Sequence, residues 1–180
     1  TLIVKWRSYR SGALICGGVG MMEFQLDASL DHDHTITNDY AAVAFVDLSG
    51  FTALTEVHGD RHAAQLAEAF ADLTRVALGE SDRLIKTIGD AVLVTSPTPR
   101  SVLELIGRIT DATRRADGFP VLRAGIHYGP IVALRDDVYG NTVNIASRLA
   151  ASAGPAQVLA ARPVADSPAA QALSSPASAW

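Results

Sequence analysis

The chain has 180 residues, a formal charge of −4, 48% hydrophobic residues and a single cysteine, Cys16. That length suits one domain with a sizeable core. The mild acidity excludes the basic footprint of a nucleic-acid binder, and a lone cysteine excludes an internal disulfide and fits a reducing, cytoplasmic setting.

Residues 1–38 show no clear hydrophobic period. The apolar run 12–22 follows Lys5, Arg7 and Arg10, which is a signal-peptide-like layout. It is too short to span a bilayer and no small-x-small site precedes Glu23, so no membrane segment is expected. Gly17-Gly18-Val19-Gly20 lacks the GK[ST] end of a phosphate loop. Asp31-His32-Asp33-His34 has ligand-type residues, but neighbours on an extended chain point opposite ways, so it reads as a solvated linker. Residues 1–38 are therefore taken as an extension and 39–165 as the domain. Beyond Arg162 the chain is rich in Ala, Ser and Pro and is expected to fray, with 166–180 as a tail.

Residues 41–46 form a continuous apolar run, as a buried central strand requires. It stops at Asp47-Leu48-Ser49-Gly50-Phe51-Thr52. A helix follows over 60–78, with Leu66, Phe70, Leu73 and Ala77 on one stripe and Gly79 as its stop. Residues 84–94 are two branched apolar runs around Gly89-Asp90, which predicts a β-hairpin. Lys86, one of only two lysines in the chain, sits inside the first run. A strand lysine is costly to bury unless a partner waits for it.

Pro97 and Pro99 break the chain, and Ser101-x-x-Glu104 predicts a capping box. The helix it opens carries Val102, Leu105, Ile106 and Ile109 and ends near Gly118 and Pro120. A strand over 121–128, a turn at Gly129-Pro130 and an antiparallel return over 131–134 are expected next. A helix over 140–151 and a strand over 157–160 complete the series. The succession predicts an α/β (α+β) fold: a ferredoxin-like βαββαβ core with an added β-hairpin arm, helix and strand.

In that plan the first and third strands are central neighbours, which brings Asp47 close to Asp90. Two such carboxylates repel unless something positive lies between them. Mg²⁺ takes one or two protein carboxylates plus substrate phosphates. The small-residue turn at Gly50, Phe51 and Thr52 has backbone N–H groups at a helix start, where a polyphosphate can be held. Asn144 and Arg148 are four apart and share a helix face. From the residues alone, the aspartates also fit ordinary loops, and the helix fits a capped surface helix.

Three stretches taken together resemble the catalytic domain of class III adenylate/guanylate cyclases. They are Phe45-Val46-Asp47-Leu48-Ser49-Gly50-Phe51-Thr52, Ile85-Lys86-Thr87-Ile88-Gly89-Asp90, and Asp137-Val138-Tyr139-Gly140-Asn141-Thr142-Val143-Asn144-Ile145-Ala146-Ser147-Arg148. Gly125-Ile126-His127-Tyr128-Gly129 is also similar to that family's strand and turn. The resemblance implies that Asp47 and Asp90 hold two Mg²⁺ or Mn²⁺ ions per site, with the Leu48 carbonyl as a further ligand. It implies that Lys86 and Asp137 select the base, Asn144 orients the ribose and Arg148 steadies charge on the α-phosphate. It further implies a homodimer whose two sites are shared between subunits, and an adenylate cyclase that turns ATP into 3′,5′-cyclic AMP and pyrophosphate. The alternatives are a cyclase acting on GTP and a non-catalytic, dimeric nucleotide-binding or sensory domain on the same fold.

Overall fold

The structure, a computed structural model, describes residues 3–4 and 37–170. Cys16, the glycine run 17–20, the Asp/His run 31–34 and residues 171–180 lie outside the described residues. In chain order the elements are β1 (Ile3–Val4), β2 (Thr37–Leu48), α1 (Phe51–His58), α2 (Asp60–Ala77), β3 (Arg83–Ile88), β4 (Ala91–Ser96), α3 (Pro99–Arg115), β5 (Leu122–Leu134), β6 (Asp137–Tyr139), α4 (Asn141–Ser152), β7 (Gln157–Ala160) and α5 (Arg162–Ala165). The strands form one sheet in the order β1-β7-β5-β2-β4-β3, with β6 on β5. β2 is central and pairs antiparallel with both β4 and β5.

Strand alternation divides the core between the two faces of this sheet. Ala42, Ala44, Val46 and Leu48 of β2 join Val92, Val94, Ala124 and Ile126 on the first face. Phe70 of α2 and Val102, Leu105 and Ile109 of α3 cover them, all 0–1% exposed. Ala41 and Val43 point the other way, with Leu93, Ile131, Val138 and Ala146 and the half-buried Phe45 and Ile85. Asp47 is the next residue in that odd-numbered row, so alternation carries it to the end of the second face. Helix α4 lies on the second face against β5. A Cβ added at Gly125 would come 2.0 Å from the Ala150 amide nitrogen, so only glycine lets the two backbones approach this closely.

The expected turn at Gly129-Pro130 is not where the chain reverses. β5 runs unbroken from Leu122 to Leu134, and the reversal falls at Arg135-Asp136, after which Asp137–Tyr139 pairs back on Val132–Leu134. Pro130 is tolerated inside the strand because β7 pairs only with Ala124–Ile126 and β6 only with Val132–Leu134. Its carbonyl accepts the Thr142 hydroxyl at 2.7 Å, and Gly129 leaves room for that hydroxyl. The third helix also starts earlier than the Ser101/Glu104 reading. Thr98 is its N-cap with Pro99 behind it; Ser101 completes the box and Glu104 pairs with Arg100 instead. At the other end of the chain, Val164 and Ala170 are fully buried against the first core, so packing continues past Arg162 where fraying was expected.

One buried carboxylate ties the α2–β3 connection to α3. Asp82, its side chain 4% exposed, accepts from Arg108 Nη2 at 2.6 Å, Ser96 Oγ at 2.6 Å and the Gly79 amide at 2.8 Å. The same Arg108 donates from Nε to the Ala77 carbonyl at the end of α2. Asp82→Leu strands these donors; the Arg108 side chain is 43% exposed and keeps its water, so the expected loss is about 1–3 kcal/mol, the cost of leaving the buried Ser96 hydroxyl unsatisfied. Urea unfolding is the check; a curve matching wild type would show that other contacts hold this corner.

Candidate active site

Asp47 sits at the end of β2 opposite Ala91, which places it beside the Gly89-Asp90 turn. The two carboxyl groups are close enough for the Asp47 charge to act on Asp90. Burial and the Asp47 charge push the Asp90 carboxyl up from 3.8 to about 6. A third group completes the cluster. Arg123 of β5 is the register partner of Asp47, and its Nε donates to Asp47 Oδ2 at 2.5 Å. Asp47 and Asp90 are thus brought together as expected, with a guanidinium alongside that the motif reading passed over. A charged residue inside the apolar run 121–126 was the available signal, the same one that marks Lys86.

The raised Asp90 value has a consequence for the protein without metal. The folded chain holds this proton more tightly than the unfolded chain. Ionising Asp90 therefore costs stability as pH rises through about 6, and that cost is absent well below the ordinary value of 3.8. Asp90→Asn is expected to raise the melting temperature at pH 7.5 and to lose this advantage as pH falls toward 4. Melting curves in chelator across that range check it; a pH-independent difference would contradict the carboxylate repulsion.

The Asp47–Phe51 turn leads straight into α1. Gly50 is its N-cap at φ 82°, a left-handed conformation, and no side chain caps the first amides. The buried Ser49 hydroxyl in the same turn has no hydrogen-bond partner. Phe51 is half-buried and Thr52 exposed. These features fit a hard divalent cation and the phosphates that accompany it: two carboxylates short of positive charge, the adjacent Leu48 carbonyl, and free amides at a helix start. Among the described residues no group of three or more His, Cys, Asp and Glu side chains could hold a metal.

Lys86 is exposed on β3, yet it has a charged partner. Its Nζ lies 2.6 Å from Asp137 Oδ2, across 51 residues of sequence. A β-bulge makes this possible. Leu84 packs toward the first core, so plain alternation would return Lys86 to that face. The extra residue at Ile85 breaks the alternation, and Lys86 pairs with Leu93 of the second face. Asp137 Oδ1 also accepts the Val138 amide at 2.8 Å. The hydrogen bond from Lys86 holds the Asp137 carboxyl below its usual range, so it is ionised at neutral pH.

Asn144 and Arg148 are both exposed on α4, one turn apart. Neither joins the ion pairs or hydrogen bonds of Asp47 and Asp90. The single chain therefore assembles the Asp47–Asp90 pair and the Lys86–Asp137 pair, and it leaves Asn144 and Arg148 facing outward. His127 is half-buried with an unpartnered Nδ1, and burial lowers its pKa. His58 and His62 are exposed.

Comparison with known proteins adds a family. A family model for the adenylate and guanylate cyclase catalytic domain matches residues 35–171. An uncharacterized protein of Mycobacterium bovis is 33% identical over 171 residues, covering 89% of this chain and 45% of the relative. A pH-sensitive adenylate cyclase of Mycobacterium tuberculosis is 40% identical over 119 residues, covering 66% and 30%. An adenylate cyclase of Streptomyces coelicolor is 36% identical over 131 residues, covering 71% and 34%. The chain thus spans less than half the length of these curated relatives. The adenylyl cyclase CyaB from P. aeruginosa shares the fold at a TM-score of 0.61 and 19% identity, over 73% of this chain and 81% of that one.

Proposed function

The chain belongs to the adenylate and guanylate cyclase catalytic domain family, and on that premise we propose that it is an adenylate cyclase. The reaction is ATP to 3′,5′-cyclic AMP and pyrophosphate, and the catalytic unit is residues 39–165. The observation that carries the choice of ATP is the Lys86–Asp137 ion pair. Adenine offers an acceptor at N1 and a donor at N6. Lys86 uses one of its three N–H donors on Asp137 and keeps two for N1; Asp137 keeps lone pairs for N6. Guanine reverses that polarity at N1 and O6. The adenylate cyclases of Mycobacterium tuberculosis and Streptomyces coelicolor among its relatives support the same reading.

Asp47, Asp90 and the Leu48 carbonyl are the groups that would hold Mg²⁺ or Mn²⁺, two ions per site. When bound, the ions would favour ionisation of the ribose 3′-OH and neutralise the triphosphate. The chain's own groups do the remaining work. The amides of Phe51 and Thr52, after the sharp turn at Gly50, hold phosphate oxygens at the start of α1. Asn144 orients the ribose, and the Arg148 guanidinium steadies charge on the α-phosphate. Because these two side chains face outward from α4, they are assigned to the site of a second copy. A C2 homodimer then has two equivalent sites. No helix among the described residues is long and apolar enough to cross a membrane. Cytoplasmic placement, where ATP is made available, belongs to the same proposal.

The test is product formation from ATP and from GTP by the wild type and by Lys86→Glu combined with Asp137→Cys. Mispaired polar groups cost about 1–3 kcal/mol each, so kcat/KM for ATP should fall at least about tenfold. Some GTP use should appear. Unchanged ATP kinetics in the double variant would remove these residues from base reading.

A further inference from the structure

We propose that Arg123 is a resident counter-ion that competes with the divalent ion for the Asp47 carboxylate and so sets how tightly the site takes metal. The proposal rests on the reading of Asp47 and Asp90 as the metal-holding pair. None of the three cyclase-like stretches contains Arg123; antiparallel register alone puts it directly opposite Asp47. Its Nε–Oδ2 contact occupies one of the two Asp47 oxygens. The Asp47 side chain is only 14% exposed and that of Arg123 36%, so water screens the pair incompletely.

The charge count gives the direction. Two ionised carboxylates and one guanidinium leave one net negative charge for an incoming divalent ion; without the guanidinium there are two. Arginine does not deprotonate in proteins, so it cannot yield its place as a bound proton does. An ion reaching Asp47 must share the carboxylate with a fixed positive charge a few ångströms away. Even at the effective dielectric of a protein surface, a unit charge at that range changes divalent affinity by about tenfold or more. A purely structural ion pair, joining β2 to β5, would leave metal affinity where it is or weaken it by releasing Asp47.

The experiment is titration of the nucleotide-free protein with Mn²⁺, followed by electron paramagnetic resonance of the free ion. Melting temperature at fixed Mn²⁺ is an independent readout by mass action. Arg123→Gln removes the charge but keeps an N–H donor for Asp47, and Arg123→Lys keeps the charge. The glutamine variant should bind Mn²⁺ about tenfold more tightly or better, with the lysine variant staying near wild type. Unchanged or weaker binding in Arg123→Gln overturns the proposal, as does equal tightening in Arg123→Lys. Arg123→Met, which keeps the aliphatic stem, makes the same measurement should the glutamine variant not fold. Asp47→Asn separates the two levels. Binding that survives in Asp47→Asn sinks the metal-site reading and the counter-ion with it. Binding lost there, but unchanged in Arg123→Gln, sinks the counter-ion alone.

Discussion

Asp47→Asn should lower cyclic nucleotide formation at least about a thousandfold, because metal-assisted charge stabilisation supplies several kcal/mol and each 1.36 kcal/mol is a factor of ten. Asparagine is the better substitution than alanine here. Its amide oxygen can still accept from Arg123 Nε, so the β2–β5 pairing keeps its cross-strand contact. The fold should survive, with the melting temperature near that of the wild type in chelator. Asp90→Asn should lose activity to a similar degree from the other side of the pair. Variants that keep near-normal metal-dependent turnover would remove the two-ion mechanism. Substituting either aspartate is expected to cost turnover, whereas substituting Arg123 is expected to shift metal affinity.

The second large effect is a gain. If Asp47 and Asp90 face Asn144 and Arg148 of another copy, two dead variants should rescue each other. Asp47→Ala lacks a metal ligand yet still presents Asn144 and Arg148 on the outer side of α4. Arg148→Ala lacks the guanidinium yet keeps both aspartates. In a mixed dimer one site is wholly wild-type and the other carries both lesions. Random mixing makes about half of the dimers mixed, with one working site each, so up to about a quarter of wild-type activity returns. Specific activity should also fall on dilution, by mass action. A mixture that stays as inactive as its components, with subunit exchange shown independently, would place the whole site within one chain.

Much of this architecture was legible in the residues. The branched runs around Gly89-Asp90 and the stripes on α2 and α3 are local patterns, and local patterns report directly on which face of an element is apolar. The strand over 157–160 and the hairpin came out as read, and the βαββαβ succession correctly brought Asp47 to Asp90. The errors arose where a local signal was outweighed. Gly129-Pro130 has turn chemistry, but the Thr142 hydroxyl and the close approach of α4 hold β5 extended through it. Ser101 and Glu104 have capping spacing, but Thr98 followed by Pro99 made the stronger start.

What the sequence by itself determined, then, is which side chains carry charge into an apolar sheet: Asp47, Lys86 and Asp90 stand out against their neighbours without any coordinates. What only the tertiary structure decided is whom they meet. Arg123 reaches Asp47 across 76 residues and Asp137 reaches Lys86 across 51. Both meetings depend on register: the alignment of β5 on β2, and the single extra residue at Ile85 that turns Lys86 onto the second face. A slip of one residue sends a side chain to the opposite face. Register is set by the packing of α4, β6 and both cores on the sheet, a sum of contacts distant in sequence that no local window contains.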